Sequence, residues 1–220
     1  MCDVKTRYRS IIYDFDGVIL DTVTAKVDAF AHVYRDEEPA KIAAIRAYAE
    51  ANGGMSRYEK FRYFEGSVFH RPLSEARLGE LCTQYRAAVE AAVASARFID
   101  GALEGITRLH GIAAQHVVSA APEEELRSAL AERGICNRFK SIGGAPKSKL
   151  SEFRRILGED AVEAGEVLAI GDSLMEYHAA VDLGIPFLAI VAPGVPDRFP
   201  DGVQREGNLL NLVALINGQG

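Results

Sequence analysis

Cysteine is scarce in this chain of 220 residues, which has Cys2, Cys82 and Cys136 and no others. An odd number of widely separated cysteines argues against a disulfide framework and is typical of proteins from a reducing compartment. No two of them have the short spacing of a metal-ligand pair, so a zinc site is not expected. We therefore expect a cytoplasmic protein without disulfides.

Long hydrophobic runs are also missing. No stretch approaches the roughly 20 apolar residues that a membrane helix needs. The first residues, Met1-Cys2-Asp3-Val4-Lys5, lack the apolar core of a secretory signal. The formal net charge of −6 makes the chain a poor candidate for nonspecific binding of nucleic acid. We therefore expect neither a membrane nor a nucleic acid as a partner.

The chain does contain short apolar runs bounded by glycine, proline or small residues, which predict buried strands. These runs are Ser10–Tyr13, His116–Ser119, Phe139–Ile142, Val167–Ile170 and Phe187–Val191. Amphipathic segments separate the later runs and predict helices. One of them begins at Pro122, followed by three acids that suit the positive end of a helix. Strands that alternate with helices indicate an α/β fold with a Rossmann-like, doubly wound parallel sheet.

One region interrupts this alternation. Residues 22–98 contain no convincing strand, and their patterns predict helices at Thr24–Tyr34, Ala40–Ala51, Ser56–Phe64 and Ser74–Ala96. We therefore predict two domains. Residues 1–21 and 99–220 form the Rossmann-like core, and residues 22–98 form an all-helical domain inserted after the first strand.

Polar residues follow four of the predicted strands, at the sheet edge where open α/β folds bind ligands. They are Asp14 and Asp16, then Ser119, then Lys147 and Lys149, and finally Asp172. Each has an ordinary explanation when taken alone, since acids beside glycine are common in turns and Gly-Asp-Ser is a common helix cap. Together they supply two acids, a hydroxyl, an ammonium and a further acid that can bind metal. Phosphoryl transfer needs this combination, because its catalysis is mostly positioning and charge neutralisation.

With these residues in place, the sequence resembles the haloacid dehalogenase superfamily of phosphatases, in the helical-cap subgroup that includes phosphoglycolate phosphatase and beta-phosphoglucomutase. Four motifs in series carry the resemblance, which spans nearly the whole chain. They are Asp14-Phe15-Asp16-Gly17-Val18, Val117-Val118-Ser119, a lysine after the third strand, and Gly171-Asp172-Ser173-Leu174-Met175-Glu176.

The resemblance implies a role for each motif. Asp14 attacks phosphorus and becomes an aspartyl phosphate, while Asp16 protonates the leaving oxygen and then deprotonates water. Ser119 holds a phosphoryl oxygen, and Lys149 neutralises developing charge. Asp14, Asp172 and the backbone carbonyl of Asp16 bind Mg²⁺, a hard ion that prefers oxygen ligands.

Two positions depart from the family pattern. A proline with a lysine three places on favours Lys149 as the motif lysine, but the proline that usually follows this lysine is absent, so Lys147 stays open. Glu176 stands where the family often has an aspartate. The longer side chain leaves open whether Glu176 touches the metal directly or through a bound water.

The acid at position 16 also bears on the reaction. Family members that break carbon–halogen bonds lack an acid there, so Asp16 favours phosphate esters. The mutases of this branch carry a histidine shortly after the first motif, whereas this chain reads Asp21-Thr22-Val23-Thr24-Ala25-Lys26. The five histidines show no triad or metal spacing and are expected at the surface or in the core.

The helical cap of such proteins closes over the site and selects the substrate. We interpret Asn52–Phe61 as the specificity segment, in which Arg57 and Lys60 bind a second anionic group of the substrate. The alternative is a plain helix–helix turn at Gly53-Gly54 with two solvated cations.

The sequence therefore predicts a Mg²⁺-dependent phosphatase of a small phosphorylated metabolite, such as a sugar phosphate or a phosphoglycolate-like acid. It is expected to be a monomer or a weak homodimer. The alternatives are a sugar phosphomutase of the same family, a non-catalytic binding protein that resembles a phospho-receiver domain, and an inactive relative. The intact set of motif residues argues against the last.

Overall fold

The computed structural model describes residues 6–218, which form two compact units. Cys2 and the segment Met1–Lys5 lie outside the described residues. The α/β unit contains the chain up to Asp21 and again from Arg97, and the helical unit spans Thr22–Ala96. In the described part of the chain, no helix has the length and hydropathy that crossing a bilayer requires.

The two ends of the helical insert are paired with each other inside the α/β unit. Leu20 and Phe98 form an antiparallel bridge, and the Asp21 N–H donates to the carbonyl of Arg97 at 3.0 Å. Residues 97 and 98 therefore belong to the α/β unit, although their sequence places them at the end of the helical region.

The α/β unit is built on a sheet of parallel strands in the order β3-β2-β1-β4-β5-β6. The strands are β1 (Ser10–Tyr13), β2 (Ala114–Pro122), β3 (Ser141–Ala145), β4 (Val167–Gly171), β5 (Phe187–Ile190) and β6 (Gln204–Glu206). Every residue of β1 and β4 is buried, as their continuous apolar runs require in a sheet covered on both faces. The predicted doubly wound parallel sheet is confirmed.

The winding of the chain reverses between β1 and β4. From β1 the chain moves outward through β2 to β3, and then returns to place β4 on the other side of β1. Tyr13 is paired with Ile170, and the next residue, Asp14, donates its N–H to the carbonyl of Ile170 at 2.9 Å. The residues that follow β1 and β4 therefore meet at the switch point, where folds of this kind bind their ligands.

The helical unit contains the helices expected from its sequence. They are α1 (Val23–Val33), α2 (Pro39–Ala51), α3 (Arg57–Tyr63) and α4 (Glu75–Ser95). Ser56 caps α3 in a capping box, in which Ser56 Oγ accepts the Glu59 N–H and the Glu59 carboxylate accepts the Ser56 N–H at 3.1 Å. The core contains Phe30, Phe61 and Phe64 in edge-to-face contacts. One π-helical turn, Phe64–Val68, continues α3 and was not expected.

Five helices belong to the α/β unit. They are α5 (Ala102–Leu109), α6 (Glu123–Glu132), α7 (Lys149–Asp160), α8 (Leu174–Leu183) and α9 (Leu212–Ile216). Side-chain hydroxyls cap the two helices that begin at the carboxyl edge next to the switch point. Ser148 accepts the Ser151 N–H ahead of α7, and Ser173 accepts the Met175 N–H ahead of α8.

The predicted third strand was wrong in its position. The structure has β3 at Ser141–Ala145, and Phe139 precedes it outside any strand. Gly143 and Gly144 are strand residues, and glycine is needed at both positions because their neighbours approach too closely for a side chain. A Cβ atom at Gly144 would lie 2.4 Å from the carbonyl oxygen of Ala121. The short elements β6 and α9 were not predicted, since neither is long enough to show a period.

A buried polar network lies near the amino ends of the strands, opposite the switch point. The fully buried ring of His116 has Nδ1 at 2.7 Å from Ser141 Oγ and Nε2 at 2.8 Å from Asp160 Oδ2. Asp160 also accepts hydrogen bonds from Ser10 and from Lys140, the latter at 2.7 Å. Burial lowers the pKa of His116, against the attraction of Asp160. Burial opposes a low pKa for Asp160, but its hydrogen bonds hold that pKa below its usual range.

The close approach at Gly144 makes a first prediction. We expect Gly144→Ala to lower the free energy of unfolding by about 2–3 kcal/mol, because the atoms in the way are backbone and cannot rotate aside. Gly158→Ala is the control, since its Cβ on the exposed side of α7 meets nothing within 4 Å. It should be neutral or stabilising by up to about 1 kcal/mol. Urea unfolding measures both, and equal effects would contradict the steric explanation.

The His116 network makes a second prediction. An unfolded histidine, with a pKa of about 6.5, binds a proton more readily than His116 does in the fold, so acidification withdraws the stability that neutral His116 provides. We expect His116→Gln to cost about 1–3 kcal/mol at pH 7, from lost buried hydrogen bonds. The difference in the free energy of unfolding between wild type and His116→Gln should become smaller as the pH falls from 7 to 5.5. Exposed His110→Gln should show no such gap, and a constant gap for His116→Gln would refute the linkage.

Candidate active site

Asp14 lies at the switch point, directly after β1. Its side chain is 5% exposed, and Oδ1 accepts the N–H of Phe15 at 2.8 Å. The turn that follows depends on Gly17, whose φ of 72° is unfavourable for other residues and whose N–H donates to the carbonyl of Leu20. Asp16 forms a bridge with Leu20 within this turn. The turn therefore presents two acids at the carboxyl edge of the sheet.

Lys149, and not Lys147, reaches Asp14. Lys149 is the first residue of α7, is 7% exposed, and has its Nζ 3.1 Å from Asp14 Oδ2. The Lys147 side chain is 53% exposed and pairs instead with Glu123 and Glu152, at 3.5 and 3.8 Å. Lys149 lies on the buried face of α7, together with Phe153 and Ile156, whereas Lys147 lies in the loop before this helix.

The loop after β4 adds two more carboxylates. Asp172 follows the strand directly, and Glu176 lies in the first turn of α8 with 1% exposure. Asp14, Asp172 and Glu176 each offer an oxygen, and these oxygens all lie within 4.8 Å of one another. Glu176 Oε1 forms an ion pair with Lys149 Nζ, and Glu176 Oε2 accepts the hydroxyl of Ser173.

Charge is crowded at this point. Burial raises the pKa of Asp14 above its usual range, and the Lys149 ammonium opposes that rise. Burial, together with the charge of Asp14, raises the pKa of Asp172 to about 7. Buried carboxylates that repel one another favour a bound cation, because a cation removes both the repulsion and the cost of desolvation. Oxygen donors of this kind fit a hard divalent ion.

Ser119 lies at the same edge of the sheet, near the end of β2. Val117 pairs with Tyr13, so Ser119 extends past the end of β1 as Asp14 does. Its side chain is 2% exposed, and Oγ accepts the N–H of Ala121 at 3.2 Å. That hydrogen bond leaves the hydroxyl proton free to be donated to a ligand oxygen.

Arg57 and Lys60 lie in the helical unit, on α3, and are 6% exposed each. The Arg57 guanidinium is 4.8 Å from the centre of the Tyr85 ring. The Lys60 ammonium is 5.3 Å from the centre of the Phe30 ring and donates to the carbonyl of Ala49 at 3.4 Å. The two cations are therefore buried beside aromatic rings, and neither is solvated as a plain surface turn would leave it.

Sequence analysis singled out Asp14, Lys149, Asp172 and Glu176, which the structure brings together, but it did not predict how they pair. The ion pair between Glu176 and Lys149 joins α8 to α7, and no local pattern reports a contact between residues so far apart. The available signal was the spacing of Ser173 and Glu176, which places an acid on the first turn of a capped helix.

Known proteins resemble this chain over most of its length. The sequence profile of the haloacid dehalogenase-like hydrolases matches residues 11–190. No curated protein matches the chain. A protein described as a predicted phosphoglycolate phosphatase from Haemophilus somnus superposes with a TM-score of 0.75 at 15% identity, over 96% of this chain and 99% of that one.

Two further solved structures are similar. YfnB of Bacillus subtilis, bound to magnesium, has a TM-score of 0.71 at 21% identity, over 96% of this chain and 99% of its own. A variant of CbbY from Rhodobacter sphaeroides, in complex with xylulose-1,5-bisphosphate, has a TM-score of 0.73 at 16% identity, over 93% and 96%. Identities this low show a shared fold. The family profile, in contrast, spans most of the chain and includes the ends of β1, β2 and β4, so this protein belongs to the haloacid dehalogenase-like hydrolase family.

Proposed function

We propose that this protein is a Mg²⁺-dependent phosphatase that hydrolyses a small phosphorylated metabolite through an aspartyl-phosphate intermediate. The observation that carries the proposal is the buried contact of Asp14 with Lys149, at 3.1 Å, beside the carboxylates that follow β4. This contact supports the proposal because the residues proposed as nucleophile, neutralising cation and metal donors lie close together at one edge of the sheet.

In the first step, a carboxylate oxygen of Asp14 attacks phosphorus and the bond from phosphorus to the ester oxygen breaks. Asp16 donates a proton to that leaving oxygen, which departs as an alcohol. In the second step, Asp16 takes a proton from water, the water oxygen attacks the phosphorus of the aspartyl phosphate, and the bond from phosphorus to the Asp14 oxygen breaks. Inorganic phosphate leaves, and both acids return to their starting protonation states.

Lys149 and Ser119 support both steps. The Lys149 ammonium, already close to Asp14, offsets the negative charge on the phosphoryl oxygens as it develops. The Ser119 hydroxyl donates a hydrogen bond to one of these oxygens. Both groups are buried, and the low local dielectric strengthens their interactions with a charged ligand.

Asp14, Asp172 and the backbone carbonyl of Asp16 would hold Mg²⁺. Their all-oxygen donor chemistry fits this ion. Burial, together with the charge of Asp14, raises the pKa of Asp172 to about 7, and a bound cation would favour the ionised carboxylates. When bound, Mg²⁺ supplies charge that stabilises the phosphoryl oxygens during transfer.

The helical unit would act as the cap that selects the substrate. Arg57 and Lys60 supply buried positive charge on α3, next to the segment that begins at Asn52. A substrate with a second anion, such as a phosphorylated acid or a sugar bisphosphate, would complement these cations. The names of two similar structures, a predicted phosphoglycolate phosphatase and a complex with xylulose-1,5-bisphosphate, support this substrate class.

The setting that fits this proposal is the cytoplasm, with the protein acting as a monomer or a weak homodimer. Within residues 6–218, Cys82 and Cys136 are thiols that belong to no disulfide, which fits a reducing compartment. The acidic net charge of −6 supports a small metabolite, and neither nucleic acid nor membrane, as the partner.

The mechanism predicts the effect of removing the nucleophile. Asp14→Asn should lower the hydrolysis of para-nitrophenyl phosphate in the presence of Mg²⁺ by about a thousandfold or more, because the amide does not attack phosphorus. Asp182→Asn, an exposed position on α8, is the matched control and should keep wild-type activity. Full activity in Asp14→Asn would exclude the mechanism. Phosphate moving within a sugar phosphate with little release to water would favour a phosphomutase.

The cap assignment predicts a change in selectivity. Arg57→Met keeps an unbranched side chain for packing against Tyr85 and removes the charge. We expect kcat/KM to fall about 10- to 100-fold on substrates with a second anion, and to change little on para-nitrophenyl phosphate, which has none. Arg62→Met on the exposed side of the same helix should change neither. Equal losses on both substrates would argue against an anion-binding role for Arg57.

A further inference from the structure

Glu176 is a buried acid that the proposed mechanism does not use. Its side chain is 1% exposed. Oε1 forms the ion pair with Lys149 Nζ, and Oε2 accepts the hydroxyl of Ser173. Gly171 leaves the space that Glu176 fills, since a Cβ atom at Gly171 would lie 2.8 Å from Glu176 Cβ. The end of β4 is therefore shaped around this acid.

Helix capping alone does not explain where the Glu176 carboxylate lies. In α3 of the same chain, a serine and a glutamate three residues apart form a capping box, and the glutamate turns back to the N–H of Ser56. Ser173 and Glu176 have the same spacing at the start of α8. Here the serine caps the helix, no capping box closes, and the glutamate reaches Lys149 instead.

The pairing with Glu176 bears directly on Lys149. A lysine side chain has a flexible stem, and its ammonium is a point charge without a fixed direction. Asp14 contacts this ammonium at 3.1 Å, and Glu176 contacts it from α8. Two carboxylates on separate elements restrict the ammonium more than one would. The Lys149 ammonium makes ion pairs with both, and the carboxylate of Asp172 is left for the metal.

We propose that Glu176 is a positioning residue that holds the Lys149 ammonium against Asp14, and that it acts through Lys149 and not as a metal ligand. This inference rests on the proposed phosphatase function. Loss of the Glu176 charge would leave Lys149 buried but free to turn away from the phosphoryl group. The rate of the chemical step would then fall, while affinity for substrate and for metal would be retained.

Glu176→Gln tests the proposal, because it keeps the shape and an acceptor for Ser173 but removes the charge. We expect kcat on para-nitrophenyl phosphate to fall about 10- to 100-fold, with KM and the Mn²⁺ dissociation constant, measured by calorimetry, within about threefold of wild type. A metal ligand would behave differently: Mn²⁺ affinity would fall about 10- to 100-fold and excess metal would restore activity. Either of those results, or an unchanged kcat, would overturn the proposal.

Two companion variants keep the test decisive. Glu176→Asp retains the charge with a shorter reach, so its kcat should lie between those of wild type and Glu176→Gln, and it replaces Glu176→Gln if that variant does not fold. Glu152→Gln is the control for loss of a buried acid elsewhere, since Glu152 lies on α7 and pairs with Arg155 at 2.8 Å. Its kcat should stay within about threefold of wild type. A loss in Glu152→Gln as large as in Glu176→Gln would indicate a general structural effect.

The contact itself is tested without activity. If Glu176 and Lys149 interact, the shift of the urea midpoint in Glu176→Gln combined with Lys149→Met should be smaller than the sum of the single shifts. Additive shifts would contradict the pairing. Failure of this inference is separable from failure of the proposed function. An inactive Asp14→Asn with a fully active Glu176→Gln rejects only the role of Glu176, whereas a fully active Asp14→Asn rejects the function.

Discussion

Negative charge buried at the switch point of the sheet is the constraint on which the rest of the site depends. Three carboxylate oxygens lie within 4.8 Å of one another, on the buried Asp14 and Glu176 and on the half-buried Asp172. Burial raises the pKa of Asp14 and, with the charge of Asp14, the pKa of Asp172, so the ionised forms of these acids need positive charge nearby. The Lys149 ammonium, on α7, supplies part of the compensating positive charge. The carboxylate oxygens are also suitable ligands for a metal cation. Burial makes the charges costly and, for the same reason, effective on a phosphoryl group.

Much of this arrangement could be predicted from the sequence, because buried parallel strands leave a strong local signal. A continuous apolar run that ends in acids, as at Tyr13 and Asp14, marks both a strand and the edge at which it ends. β3 was misplaced because a glycine pair in a strand looks the same in the sequence as a glycine pair in a turn. Gly144 allows a close approach of backbone atoms, and Gly143 leaves room for the side chain of Glu152.

Partners that are distant in sequence could not be predicted in the same way. Local spacing did not decide between Lys147 and Lys149. The structure separates them because Lys149 lies on the buried face of α7, whereas Lys147 precedes this helix. The burial of Arg57 and Lys60 beside Tyr85 and Phe30 follows from tertiary packing of the helical unit. The spacing of a cation along its own helix does not indicate which aromatic residue it will contact in the fold.

The bridge between Leu20 and Phe98 has a consequence for how such proteins diversify. It joins the two points at which the chain leaves and re-enters the α/β unit, and the N–H of Asp21 extends it to Arg97. This bridge holds the two ends of the helical insert together. The entropy cost of bringing these ends together depends only weakly on the length of the insert, so a longer or shorter insert would change it slightly. The sheet and its charged edge can therefore be inherited unchanged, while the intervening segment is free to be replaced by evolution or by an engineer.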